Sequence, residues 1–135
     1  NPARVRRAWE VLRATGRGLA DWQAETGRPL LPADKVTTIT LEADRDWLAR
    51  RIDQRFLAML DEGAIDEVAA MLPRWEPLSL WAKAIGAPEL VAHLRGETDL
   101  ATATAGAHAA SRQYAKRQRT WFRSRMKGWR AVAAG

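Results

Sequence analysis

Through most of the chain apolar residues recur at three, four and seven positions, the spacing of one face of an α-helix. Val5, Ala8, Trp9 and Leu12 form such a stripe and predict a helix over 2–14, with Asn1 as N-cap, Pro2 at the first helical position and Gly16 as the stop. A short helix over 19–25 follows, and Gly27-Arg28-Pro29 opens a loop through Pro32. Residues 35–41, Lys-Val-Thr-Thr-Ile-Thr-Leu, alternate and are β-branched, and they predict the only strand. One strand cannot make a sheet. It belongs to a small irregular pairing, or the rest of its sheet lies outside this stretch. Asp44 caps a long helix to about residue 62, with Trp47, Leu48, Ile52, Phe56, Met59 and Leu60 on its buried face and Gly63 as the stop. Residues 64–72 form another helix, ended by Pro73, and a loop runs over 73–77. Ser79 caps a short turn carrying Lys83. A helix over 88–95 turns Leu90, Val91 and Leu94 inward, and Gly96 stops it. The expected fold is mainly α, about six helices and one strand, in a single helical region.

Thr98 is expected to cap the last and longest helix, which frays near Lys127-Gly128 into a loose alanine-rich tail. Leu100, Ala103, Ala107, Ala110, Tyr114 and Trp121 recur at the spacing of a buried stripe. Arg112, Lys116, Arg119 and Arg123 sit two residues off Tyr114, about 200° around the helix, so they are expected to point away from the core. Arg117 falls between the two faces, beside Trp121 and Phe122.

Charge sharpens this picture. Asp99 is the last acidic residue; residues 100–135 hold eight Lys and Arg and no acid, whereas residues 1–99 hold fourteen basic against sixteen acidic residues. The net +6 therefore belongs to the C-terminal third. A basic stripe interleaved with aromatics reads as a nucleic-acid footprint; the bland alternative is a solvated face that is merely basic. Arg4, Arg6 and Arg7 crowd the first turns of a helix, against the preference of its dipole, so a phosphate or a carboxylate is expected near them. Arg51 and Arg55 are one turn apart on the flank of the long helix, and Arg55 adjoins Phe56 at the core boundary.

Composition mostly removes possibilities. The chain has no Cys, which excludes disulfides and thiolate chemistry and is in keeping with a reducing cytoplasm. No apolar run approaches the roughly 18 residues of a membrane span. Seven Trp is many for 135 residues, and Trp9, Trp22 and Trp47 fall at helical apolar positions that suggest core packing. His93 and His108 lack acidic partners at ligand spacing and are read as packing or surface residues. No Ser/His/Asp set and no Gly-x-x-x-x-Gly-Lys-Ser/Thr loop occurs, so the residues alone give no nucleophile, metal site or general base. The start at Asn1-Pro2, without Met, is the start expected of a piece of something longer.

Four stretches together resemble one family. The run 111–123, Ser-Arg-Gln-Tyr-Ala-Lys-Arg-Gln-Arg-Thr-Trp-Phe-Arg, is similar to the C-terminal signature of tRNA dimethylallyltransferases, also called tRNA isopentenyltransferases. Lys83-Ala-Ile-Gly86-Ala-Pro-Glu-Leu90 with Leu94-Arg-Gly96-Glu97 resembles the block before it. The run 50–60 with Gly63 resembles the central helix, and 4–11 with Thr15-Gly16 the segment leading in. One departure stands out: the family's Gly-Tyr-Arg-Glu is Gly86-Ala87-Pro88-Glu89 here, without the aromatic and the cation.

The resemblance implies an enzyme that moves a dimethylallyl group from dimethylallyl diphosphate to N6 of adenosine 37 in a tRNA anticodon stem-loop. It implies the C-terminal half of a P-loop-type α/β core, cytoplasmic, off the membrane and monomeric at full length. The phosphate loop, the general-base aspartate, the helical insertion and the ligands of Mg²⁺ would all lie before Asn1. Arg55 would contact the diphosphate. Arg4, Arg6, Arg7, Lys83, Gly86, Lys116, Arg117, Gln118, Arg119, Thr120, Trp121 and Arg123 would contact the tRNA. The other readings are a non-catalytic helical RNA-binding module and a helical domain that binds an acidic protein.

Overall fold

The computed structural model describes residues 1–25, 27–28 and 30–134. The loop expected over 27–32 carries no helix or strand where it is described; Pro29 and the neighbouring Thr26 lie outside the described residues. The chain divides into two compact units, Asn1–Thr37 and Thr38–Gly135.

In the first unit, α1 (Pro2–Thr15) is capped by the Asn1 carboxamide oxygen, which accepts from the Ala3 amide. It ends at Gly16, whose left-handed φ of 67° lets its amide close onto the Leu12 carbonyl. α2 (Leu19–Ala24) is latched back to α1. The Trp22 indole N–H donates to Thr15 Oγ1, while Arg17 lies over the Trp22 ring and pairs with Glu25. A 3₁₀ turn follows at Ala33–Lys35.

The second unit holds the core. β1 (Ile39–Ala43) precedes α3 (Arg45–Asp61), α4 (Ala64–Met71), α5 (Ala87–Leu94), α6 (Leu100–Arg125) and β2 (Arg130–Ala134). The six helices match the expectation. The strand begins four residues later than expected, because residues 33–35 turn as a 3₁₀ helix and pairing starts only at Ile39. The alanine-rich tail expected to be loose is the second strand, parallel to the first, with Ile39 opposite Arg130 and Ala43 opposite Ala134. Val132 and its small neighbours fit in a ladder, and the partner strand satisfies alternate amides along it.

The core centres on Phe56 of α3, Leu90 of α5 and Ala107 of α6, with Leu60, Ile65, Val68 and Leu100 packed around them. Small residues bring α6 close to its neighbours. Ala103 and Ala107 are buried, and a Cβ added at Gly106 would come within 3.2 Å of the Glu89 side chain. Asp44 caps α3, accepting from the amides of Asp46 and Trp47 at 3.0 and 2.8 Å. The Trp47 amide is the main cause holding its carboxyl below the usual range. The cap of α6 is Asp99 rather than Thr98: its carboxylate accepts from the Thr102 amide at 2.7 Å. A carboxylate answers the positive end of a 26-residue helix better than a hydroxyl does, and Thr102 holds the Asp99 carboxyl below its usual range.

Phe56→Ala should destabilise the chain by about 3–5 kcal/mol in urea unfolding, the cost of an aromatic lost from a packed core.

Candidate nucleic-acid interface

The basic helix α6 changes surroundings along its length. Ala103 and Ala107 are buried, but no residue of α6 beyond Ala107 is. The apolar stripe expected to continue through Tyr114 and Trp121 does not: they are 48% and 52% exposed. Trp9 and Trp22, expected in a core, are exposed as well, and Trp47 is half-buried. Arg13, Arg17 and Arg51 lie over Trp9, Trp22 and Trp47, with guanidinium-to-ring distances of 5.2, 4.7 and 5.4 Å.

The cations of α6 do not all point to solvent as the sequence suggests. Arg112 turns to α3, where its Nη1 donates to both oxygens of Asp53 at 2.8 and 3.0 Å. His108, one turn earlier, places Nδ1 3.4 Å from the same carboxylate and its ring edge-on to Phe56 at 5.5 Å. Arg119 is half-buried. With Gln118, Arg123 and Lys127 it lines one wall of a cleft whose other wall is β1 and the start of α3, including Glu42, Asp44 and Asp46. Phe122 and Trp129 supply flat apolar surface in this cleft. Among the described residues Arg119, Arg123 and Lys116 have no ion-pair partner. Lys116 is exposed outside the cleft, and Arg117 folds back over the Tyr114 ring at 5.7 Å. The Thr120 hydroxyl donates to the Lys116 carbonyl within the helix, and Trp121 packs edge-on to Phe122.

Lys83 is exposed on a 3₁₀ turn, Trp81–Lys83, whose N-cap is Leu80 rather than the expected Ser79; Ser79 Oγ accepts from the Ala82 amide at 3.4 Å. Gly86 is buried at φ 97°, and an added Cβ would lie 2.7 Å from the Phe56 ring. The Gly86 amide donates to Glu89 Oε2 at 3.1 Å, so its part within this fold is to let the loop seat on Phe56. Arg55 is exposed without an ion-pair partner among the described residues. It lies about 200° round α3 from Asp53, away from the α6 seam, and does not line the cleft. Arg4, Arg6 and Arg7 are all exposed on α1, in the other unit; Arg7 reaches Glu10 at 3.6 Å. Asp53 and the aromatic wall of Phe122 and Trp129 went unread in the sequence. The one available signal was an acid within the arginine-rich helix 45–61, flanked by Arg51 and Arg55.

The cleft sets Arg45, Arg119, Arg123 and Lys127 against Glu42, Asp44 and Asp46 beside a short parallel sheet, and the comparisons identify the family. The family model described as IPP transferase matches residues 1–125, and the chain belongs to that family. It is 63% identical over 132 residues to the tRNA dimethylallyltransferase of Cereibacter sphaeroides, covering 98% of this chain and 45% of the relative. Against that of Paracoccus denitrificans it is 61% identical, covering 100% and 45%. The solved tRNA isopentenylpyrophosphate transferase of Bacillus halodurans superposes with a TM-score of 0.68 at 32% identity, covering 98% of this chain and 40% of that one. The Staphylococcus epidermidis enzyme gives 0.66 at 31%, covering 98% and 43%. The chain thus spans less than half the length of the relatives it matches. No helix among the described residues is long and apolar enough to cross a membrane.

Gly86→Ala should lower stability by about 1–3 kcal/mol in urea unfolding, because strained backbone and a clash with Phe56 coincide.

Proposed function

We propose that this chain is the tRNA-facing part of a prenyltransferase that moves a dimethylallyl group from dimethylallyl diphosphate to N6 of adenosine 37. The observation that carries the reading is the cleft: Arg119 and Arg123, unpaired among the described residues, flank Phe122 and Trp129. Single-stranded loop nucleotides are held in this way, phosphates on cations and bases on aromatic faces. Lys116 and Gln118 extend this surface along α6; Arg117 and Trp121 lie about 200° round the helix from Arg119 and would meet RNA from the other face, with Thr120 between, and Lys83 and the Gly86 loop are a second contact. Arg4, Arg6 and Arg7 add phosphate contacts from α1.

In the reaction the exocyclic N6 attacks C1 of the dimethylallyl group as the C–O bond to diphosphate breaks. Diphosphate leaves with the bonding electrons, and N6 gives up a proton to a base. Charge grows on the leaving diphosphate, where a fixed guanidinium stabilises it, and Arg55 is the residue offered here. Among the described residues no three His, Asp or Glu side chains gather as a metal site. The reading assigns the phosphate-binding loop, the general-base aspartate and the helical insertion to the length that the relatives carry beyond the matched span.

Binding of bulk tRNA across a salt series tests the interface. Log K should fall steeply with log salt, and an Arg119→Ala/Arg123→Ala double variant should flatten the slope by about 1–2. Binding indifferent to salt and to the variant would reject the cleft as the RNA surface.

A further inference from the structure

α6 leaves its buried packing at Ala107, yet the cations of the cleft lie on residues 118–123. Something must fix which way that half of the helix faces. Beyond Arg112, the side-chain hydrogen bonds, ring contacts and cation–ring contacts of α6 among the described residues stay within α6: Thr120 to Lys116, Ser124 to Trp121, Arg117 over Tyr114 and Trp121 on Phe122. The next firm hold is the strand ladder, which opens with the Arg130 amide donating to the Thr38 carbonyl at 3.1 Å. Residues 113–129 thus run between two polar anchors, the ladder at one end and Asp53 at the other, with Ala115 and Arg119 half-buried between them.

We infer that Asp53 is the positioning residue of the RNA-binding surface: it grips α6 through Arg112 and His108 and so sets the rotation that brings Arg119 and Arg123 to the cleft. The inference rests on the RNA reading above. The geometry suits the role. His108 and Arg112 are one turn apart and meet the same carboxylate, so the contact fixes axial register as well as rotation. Arg119 lies seven residues beyond Arg112, about 20° short of two full turns, so the two share a face. What orients one orients the other. The Asp53 and Arg112 side chains are 35% and 44% exposed, and pairs of that exposure contribute little to stability. The contact still ties α6 to one point of α3, because Arg112 Nη1 reaches both oxygens of Asp53 and His108 Nδ1 lies 3.4 Å from the same carboxylate.

Charge alone predicts the opposite of this role. Asp53 is an anion near a basic surface, so its removal should strengthen RNA binding by simple electrostatics. Positioning requires that its removal weaken binding.

The test measures bulk tRNA affinity across a salt series for the whole chain, Asp53→Asn, Arg112→Gln and the double variant, with urea midpoints alongside. The sequence has no Cys, so spin labels on Arg50→Cys of α3 and Ser124→Cys of α6 report the spacing of the two helices cleanly. Both single variants should bind about tenfold more weakly, the double no more weakly than either. The salt slope and the urea midpoint should hold, and the label-to-label distance distribution should broaden or shift. Unchanged or tighter binding by Asp53→Asn overturns the inference. Should Asp53→Asn fail to fold, Arg112→Gln decides: an intact slope supports positioning, and a slope reduced by about 1 makes Arg112 a direct phosphate contact instead. If the unaltered chain binds no tRNA, the functional reading fails separately. The labels then judge the positioning claim alone, and a distribution unchanged in Asp53→Asn overturns it.

Discussion

The larger unit depends on how closely three helices approach at Phe56. Its ring takes the space that a side chain at residue 86 would need and meets the edge of His108 on α6. Gly86 can sit there because it carries no Cβ and tolerates a positive φ. Leu90 and Ala107 complete the contact. A packed interior of this kind tolerates little change in volume, so the loop bearing Lys83 and the axis of α6 are referred to the same ring. Asp53, three residues before Phe56, extends that seam from apolar contact into charge.

The proposed RNA surface grows outward from this seam. α6 is buried where it is small and alanine-rich, and it becomes basic and aromatic where it emerges. The parallel pair β1–β2 secures its far end. Two parallel strands with Ile39 and Leu41 exposed are an unusual resting state, since parallel sheets are ordinarily covered on both faces. The exposed Trp9 and Trp121 and these strand residues are apolar surface of the same sort, in a chain that spans less than half of its relatives.

Much of this was legible in the sequence. The helical stripes gave all six helices, because caps and left-handed glycines such as Asn1, Asp44 and Gly16 mark ends through local chemistry. The charge asymmetry singled out α6 for the same reason. What stayed hidden depended on partners far apart in the chain. Periodicity cannot say whether a face such as Tyr114–Trp121 has anything to pack against. The second strand was invisible because Ala131 to Ala134 carries almost no intrinsic β preference and is defined by its ladder with β1. Arg112 looked like its neighbours until Asp53, 59 residues away, took it out of the free set.

Residues 113–125, held at both ends, are the surface proposed to meet RNA. Amide hydrogen exchange of this chain with and without a tRNA anticodon stem-loop tests it most directly. Exchange should slow across 113–125 and around 83–87 on adding RNA, with 64–71 unchanged. Slowing confined to other segments, with 113–125 unaffected, would contradict it.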